Sequence, residues 1–141
     1  MLAFKPLSSN LGDTVPKSYY LDNVVINSAL RGIVYTPPVA VWCALFLVSP
    51  TPAGGGTEVA GGGYGRQTVT FGAPTNGVST NATDVLFPTA TLAWGTITAF
   101  GLYDASSGGN LLYFANLSSA RSVLVNDAVR FPAGQLQSTE Q

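Results

Sequence analysis

The stretch Trp94–Leu117, WGTITAFGLYDASSGGNLLYFANL, constrains the fold more than any other part of the chain. Two runs rich in Thr, Ile, Phe, Leu and Tyr flank Asp104-Ala105-Ser106-Ser107-Gly108-Gly109, and strand formers on both sides of a Gly/Ser/Asp cluster are the signature of a β-hairpin with a long loop. Counting every second residue puts Ile97, Ala99, Gly101 and Tyr103 on one face of the first arm, and Thr96, Thr98, Phe100 and Leu102 on the other. On the return arm Leu111, Tyr113 and Ala115 alternate with Leu112, Phe114 and Asn116. Neither arm has a clearly polar side, and a strand that is apolar on both faces is covered on both. The cover is either a second sheet and a helix of the same chain or another subunit. A monomer exposing Phe100, Leu102, Leu112 and Phe114 would aggregate, which makes these four the candidates for an oligomer interface.

At 141 residues the chain is expected to form one domain, long enough to bury roughly two thirds of its unfolded surface without metal or disulfides. Charged residues are only 9% of the sequence and the net charge is -1, whereas soluble domains carry about 25% charged residues. A surface built from Ser, Thr, Asn, Gly and apolar atoms suits a protein embedded in an assembly better than a free monomer. The six Lys and Arg and the seven Asp and Glu are scattered singly. They make no basic patch for nucleic acid and no polybasic segment for an anionic membrane. Cys43, alone inside the apolar run Val39–Val48, reads as a buried inert thiol, and a chain with one cysteine suits assembly in a reducing cytoplasm. That run has ten residues, too few for a membrane helix, and reads as a core strand opened by Pro37-Pro38. The first twenty residues contain no apolar segment of signal-peptide length.

Residues 1–17 show no sustained period and are punctuated by Pro6, Gly12 and Pro16, so they read as an extended arm. Sixteen extended residues reach roughly 50 Å, enough to lie along a neighbouring molecule, with Leu2, Phe4, Leu7 and Leu11 as anchors. Residues 18–136 are the domain and 137–141 a polar tail. One helix is expected from Ser18 to Gly32: Ser18 as N-cap, Asp22 near the positive end, Arg31 in the last turn and Gly32 in the left-handed position past the end. Its stripe Leu21, Val24, Val25, Ser28 and Ala29 is expected to pack on the core. After Ile33 the pattern is strand and turn throughout. Strands are expected over Val39–Val48, Arg66–Phe71, Val78–Asn81, Asp84–Phe87, the two hairpin arms, Ser122–Val125 and Ala128–Phe131, with the last pair turning at Asn126-Asp127. About eight strands and one N-terminal helix predict a mainly β domain, a β-sandwich or jelly-roll-like fold.

The chain contains no histidine, which removes the commonest general base, the histidine-dependent nucleophile arrangements and most zinc sites. The acids are spread singly. Asp104 and Asp127 sit in turns, where carboxylates bond the backbone, and no stretch has calcium-loop spacing. The glycine clusters Gly54-Gly55-Gly56 and Gly61-Gly62-Gly63-Tyr64-Gly65 do not lead through Gly-Lys-Ser/Thr into a helix, so they are turning loops and not phosphate cradles. No catalytic residue, metal or cofactor is therefore expected. Among the aromatics Trp42 and Trp94 read as core. Tyr64, set between glycines, reads as a loop tip, either a stacking platform for a sugar or an anchor in a partner's pocket.

Several segments together resemble a family of small tailed-bacteriophage virion proteins commonly labelled phage tail fibre protein, which includes members similar to capsid cement or decoration proteins. They are LRGIVYTPP at Leu30–Pro38, VWCALFLVSPTPAGGGTEVAGGGYGRQTVTFG at Val41–Gly72, the hairpin stretch Trp94–Leu117, and the D-x-x-x-F-P-A-G element at Asp127–Gly134. The resemblance covers Tyr19–Leu136 and implies a non-enzymatic structural virion protein with no catalytic residues. The Met1–Lys17 arm is an addition to the usual pattern. A shaft needs a long repeat, and the chain has no heptads, no collagen repeat and no recurring β-helix unit. The leading expectation is therefore a capsid cement protein: a homo-oligomer, with a trimer favoured, on the outer capsid surface of the virion where capsomers meet. Its arm and Tyr64 would contact the major capsid protein, and binding only the assembled shell would stabilise it by mass action. The alternative is a tail-associated fibre or adhesin protein that binds a host surface glycan through its glycine-rich loops and Tyr64.

Overall fold

The computed structural model describes residues 2–3 and 16–140. Its elements are β1 (Leu2–Ala3), α1 (Tyr19–Arg31), β2 (Val41–Val48), β3 (Thr57–Glu58), β4 (Gln67–Val69), β5 (Val78–Thr80), β6 (Val85–Leu86), β7 (Gly95–Tyr103), β8 (Leu111–Val123), β9 (Val129–Phe131) and β10 (Gln137–Thr139). The fold is mainly β and sandwich-like. Its principal sheet is antiparallel: β7 lies between β8 and β2, and the outer edge of β2 is shared by β4 at Val41–Cys43 and β3 at Phe46–Val48. A second sheet has the order β1-β9-β6, with β1 parallel to β9, and a third pairs β10 with β5.

The hairpin β7–β8 forms where the sequence places it, and Asp104 closes its loop. One Asp104 carboxylate oxygen accepts from the Asn110 backbone N–H at 2.6 Å and the other from the Asn110 side-chain amide at 2.8 Å. Both faces are covered by the same chain. On one side Phe100, Leu102, Ala115 and Leu117 join Cys43 and Leu45 of β2 against Val85, Val129 and Phe131 of the second sheet. On the other side Ala44, Phe46 and Ala99 form a smaller cluster closed by Tyr103. Gly101 makes this second face possible, since a Cβ there would lie 3.0 Å from the Phe46 ring. The β7–β8 pairing is irregular at two points, one of them between Leu102 and Tyr103. The register between β7 and β8 shifts between Ile97 and Ala99, and this irregularity turns Ile97 onto the face of Phe100 and Leu102 instead of that of Ala99.

Further differences from the sequence pattern have physical reasons. β8 continues to Val123, so the expected separate strand Ser122–Val125 is its end, held by cross-strand pairs from Gly95, Thr96 and Ile97. The polar tail is strand β10, pinned where Asn81 is buried: its amide donates to the carbonyls of Thr83 and Pro132, and its carbonyl accepts from the Leu136 N–H at 2.9 Å. Trp42 is half-buried, paired across the sheet with Tyr103 and Thr68. The helix has its expected caps: Ser18 Oγ accepts from the Leu21 N–H at 3.1 Å, and Gly32 has φ of 65°. Its expected core stripe is corrected, because Leu21 is its one buried residue while Val25, Ser28 and Ala29 are exposed. The chain enters α1 alongside β8, where the Phe114 N–H donates to the Pro16 carbonyl and the Ser18 N–H to the Leu112 carbonyl. This attachment holds only the first turn of the helix against the sheet.

The two ends of the domain meet over β8. Lys17 Nζ lies 2.8 Å from Glu140 Oε2, and the Tyr113 hydroxyl donates to the other Glu140 oxygen. Partial burial works to raise the pKa of the Glu140 carboxyl, but the hydrogen bonds from Lys17 and Tyr113 together with the Lys17 charge outweigh it and hold the group below its ordinary value. A carboxylate lowered in the folded state contributes stability that is present above its unfolded pKa and is lost as the pH falls through the folded pKa. Glu140→Gln should therefore flatten the acid limb of a plot of Tm against pH below about pH 4.5, and calorimetry of the two proteins from neutral to acid pH measures it.

Candidate functional site

Arg66, in the loop between β3 and β4, bonds to two other parts of the fold. Its Nε and Nη2 each donate at 2.8 Å to one oxygen of Glu58, and its Nη1 donates at 3.0 Å to the Ala105 carbonyl and at 2.8 Å to the Gly108 carbonyl. The guanidinium lies 3.7 Å from the centre of the Tyr103 ring. A planar, forked cation satisfies all these groups at once, and a lysine cannot. The hydrogen bonds to Glu58 raise the Arg66 pKa against the opposing effect of burial. One residue thereby locks the second glycine-rich loop, β3 and the hairpin loop together.

Tyr64 belongs to the same knot. Its hydroxyl donates to Glu58 Oε1 at 2.8 Å and accepts from the Leu45 N–H at 3.0 Å, while its ring stacks on Phe87 and meets the edge of Trp94. Burial pushes the phenol pKa well up. The loop-tip reading of Tyr64 is thus corrected: the glycines around it serve close packing, and at Gly62 a Cβ would lie 2.9 Å from the Trp94 indole, whose N–H donates to the Gly62 carbonyl. Glu58 accepts from both Arg66 and Tyr64 and is occupied as a structural acceptor. Cys43 is fully buried, and burial raises its thiol pKa, which leaves an inert side chain. Among the described residues no cluster of His, Cys, Asp and Glu has the make-up of a metal site.

Beside the knot an open groove of about 460 Å³ runs between the start of α1, the loop Pro52–Gly55 and the hairpin end. Tyr19, Tyr20 and Asn110 are the side chains that give it character, while the Tyr103 ring at its edge is engaged by Arg66 and Phe46. Ring faces next to amide and hydroxyl groups suit a flat polyhydroxylated ligand, because a sugar offers apolar C–H faces and equatorial hydroxyls together. The groove brings no nucleophile and general base together.

The other residues singled out from the sequence fall elsewhere. Leu2 is in β1, whose backbone pairs with Val129 of the same chain; Phe4, Leu7 and Leu11 lie outside the described residues. The assignment of Phe100, Leu102, Leu112 and Phe114 to an oligomer interface is corrected, since all four are buried within a single chain. The second sheet supplies part of their cover, including Phe131 with its ring 5.9 Å from that of Phe100, and the segment entering α1 lies against β8. Exposed apolar residues are found instead on the helix and just after it, among them Tyr19, Ile26, Leu30, Ile33 and Val34. The spacing of these residues was visible in the sequence, but it overlaps the Leu21–Ala29 stripe at the same helical period, and periodicity alone does not say which stripe the domain takes.

A family model described as "Podophage GP4 fiber I protein gp80" matches residues 16–139 of the chain. No curated protein matches it.

Replacing Arg66 tests the knot. Arg66→Ala leaves the Glu58 carboxylate without its cation and should cost about 3 kcal/mol, with faster amide exchange over 104–110, and Arg66→Lys should recover less than half of the loss. Thermal unfolding and hydrogen exchange by mass spectrometry read both effects.

Proposed function

The chain belongs to the Podophage GP4 fiber I protein gp80 family, which makes it a structural phage virion protein, and we propose that it serves as an oligomeric subunit of a virion fibre with a structural, non-catalytic role. The observation that carries this reading is the family match over residues 16–139, most of the chain. The domain has no repeat from which one chain would build a shaft, so length would come from association of compact subunits with each other and with neighbouring virion proteins. The near-neutral composition agrees, since uncharged contacts keep their strength over a wide range of salt.

A second reading, a cement protein that clamps the outer capsid surface at capsomer junctions by binding the major capsid protein, is favoured by one specific feature. Leu92, Leu124 and Val125 are exposed on adjoining loops, tied together by hydrogen bonds between Ala90 and the Asn126-Asp127 turn, and they offer a second apolar contact away from the helix. Electron microscopy of virions labelled with antibody to this chain separates the two. Label confined to appendages is expected for the fibre subunit, and label spread over the head would replace that reading with the cement one.

On a fibre, the tyrosine-lined groove is the surface suited to a host glycan. Binding of the purified protein to arrays of bacterial surface polysaccharide should fall at least roughly tenfold in Tyr20→Ala, the loss of one stacking ring in an open site. Equal binding by both proteins would remove the groove from the reading.

A further inference from the structure

Helix α1 stands on the domain by its first turn and exposes an apolar stripe, whose first residue, Tyr19, also borders the groove beside the Pro52–Gly55 loop. Tyr19, Ile26 and Leu30 are 60%, 52% and 80% exposed, and Ile33 and Val34 continue the surface at 46% and 89%. Within the helix Tyr19, Asn23, Ile26 and Leu30 follow one another at intervals of four, three and four residues. That is the a/d spacing of helices that pack knobs into holes. In this frame Leu21, the one buried residue of the helix, takes the f position, directly opposite the seam. The domain therefore holds α1 in the orientation that presents the seam outward. An exposed apolar stripe of this kind marks a contact surface.

The choice of occupant rests on Asn23 and on charge. Asn23 sits at an a position between Tyr19 and Ile26, is exposed, and has no side-chain partner among the described residues. Buried in an interface it needs a group that donates and accepts at the same level, and the amide of another Asn23 is such a group, because each amide carries both functions. A foreign apolar groove would leave it unsatisfied, at a cost. The seam carries no charge of its own. The nearby ionic groups are engaged within the chain, Asp22 with Lys17 at 3.7 Å and Arg31 with Asn27 at 2.8 Å, so nothing repels an identical surface. We infer that α1 is a self-association element: the Tyr19–Asn23–Ile26–Leu30 seam packs in parallel against the same seam of a second copy of this chain, with Asn23 fixing the register and Ile33–Val34 extending the contact. The inference holds for either place in the virion, so it stands or falls separately from the fibre assignment.

The test uses the full chain. Light scattering after size exclusion is expected to give a mass at least twice the 14.6 kDa of one chain, and Ile26→Asp with Leu30→Asp is expected to return it to 14.6 kDa with an unchanged β-sheet circular dichroism spectrum. Because the native Cys43 is fully buried, an introduced cysteine is the reactive one. Mild oxidation should convert Leu30→Cys on the seam to a covalent dimer and leave Ser28→Cys, on the opposite face, uncrosslinked. A wild-type protein that stays monomeric at every concentration overturns the inference, as does equal crosslinking at both positions. So does a monomer that oligomerises only after deletion of residues 4–15, since the seam would then be covered by its own chain.

Discussion

Both faces of the β7–β8 hairpin are buried, and the rest of the domain is arranged around that requirement. A strand pair with Ala99, Phe100, Gly101 and Leu102 in sequence has no side to give to water. β2 adds to one edge of it, the second sheet closes one face, and Phe46 with Tyr103 closes the other, lying where Gly101 leaves room for a ring. The apolar surface so removed from water is the main favourable term in the fold. The loops then have to hold the layers in register, and the Arg66 network does this by joining the hairpin loop to β3 through hydrogen bonds that bridge about forty residues of chain.

Most charged side chains among the described residues are used inside the fold. Lys17, Arg66 and Arg130 each pair with an acid of the same chain, and Asp104 and Asp127 bond backbone or amide N–H groups of their own turns. Much of the surface is uncharged, and its exposed apolar groups include those of α1 and of the loops bearing Leu92, Leu124 and Val125. A chain of this composition gains little from charge steering and depends on shape and apolar area for recognition. That physical character suits a permanent component of a phage particle, where partners are at high local concentration and contacts are made once.

Much of the architecture was legible in the sequence. The hairpin, the helix with both caps, and the turn roles of Asp104 and Asp127 rest on interactions between residues close in sequence, and short-range chemistry is what pattern reading captures. The family resemblance read from the glycine-rich segment and the hairpin holds as well. Less legible was the candidate site. Arg66, Glu58, Tyr103 and the carbonyls of Ala105 and Gly108 come from separate parts of the chain, and no spacing rule links them. Tyr64 was misread as a loop tip because its glycine neighbours signal a turn whether the ring between them points out or in.

The sequence by itself determined that strands dominate, where the hairpin turns and that few charges face solvent, because period, turn chemistry and composition are local quantities. Only the tertiary structure decided which apolar residues stay uncovered. Phe100, Leu102, Leu112 and Phe114 are buried within the chain, the first two against the second sheet, and the helix, attached by its first turn, keeps Tyr19, Ile26 and Leu30 outside. The reason is geometric: two stripes on one helix share the same period, and only the position of the attachment point, set by hydrogen bonds from Ser18 to β8, selects the one that turns away.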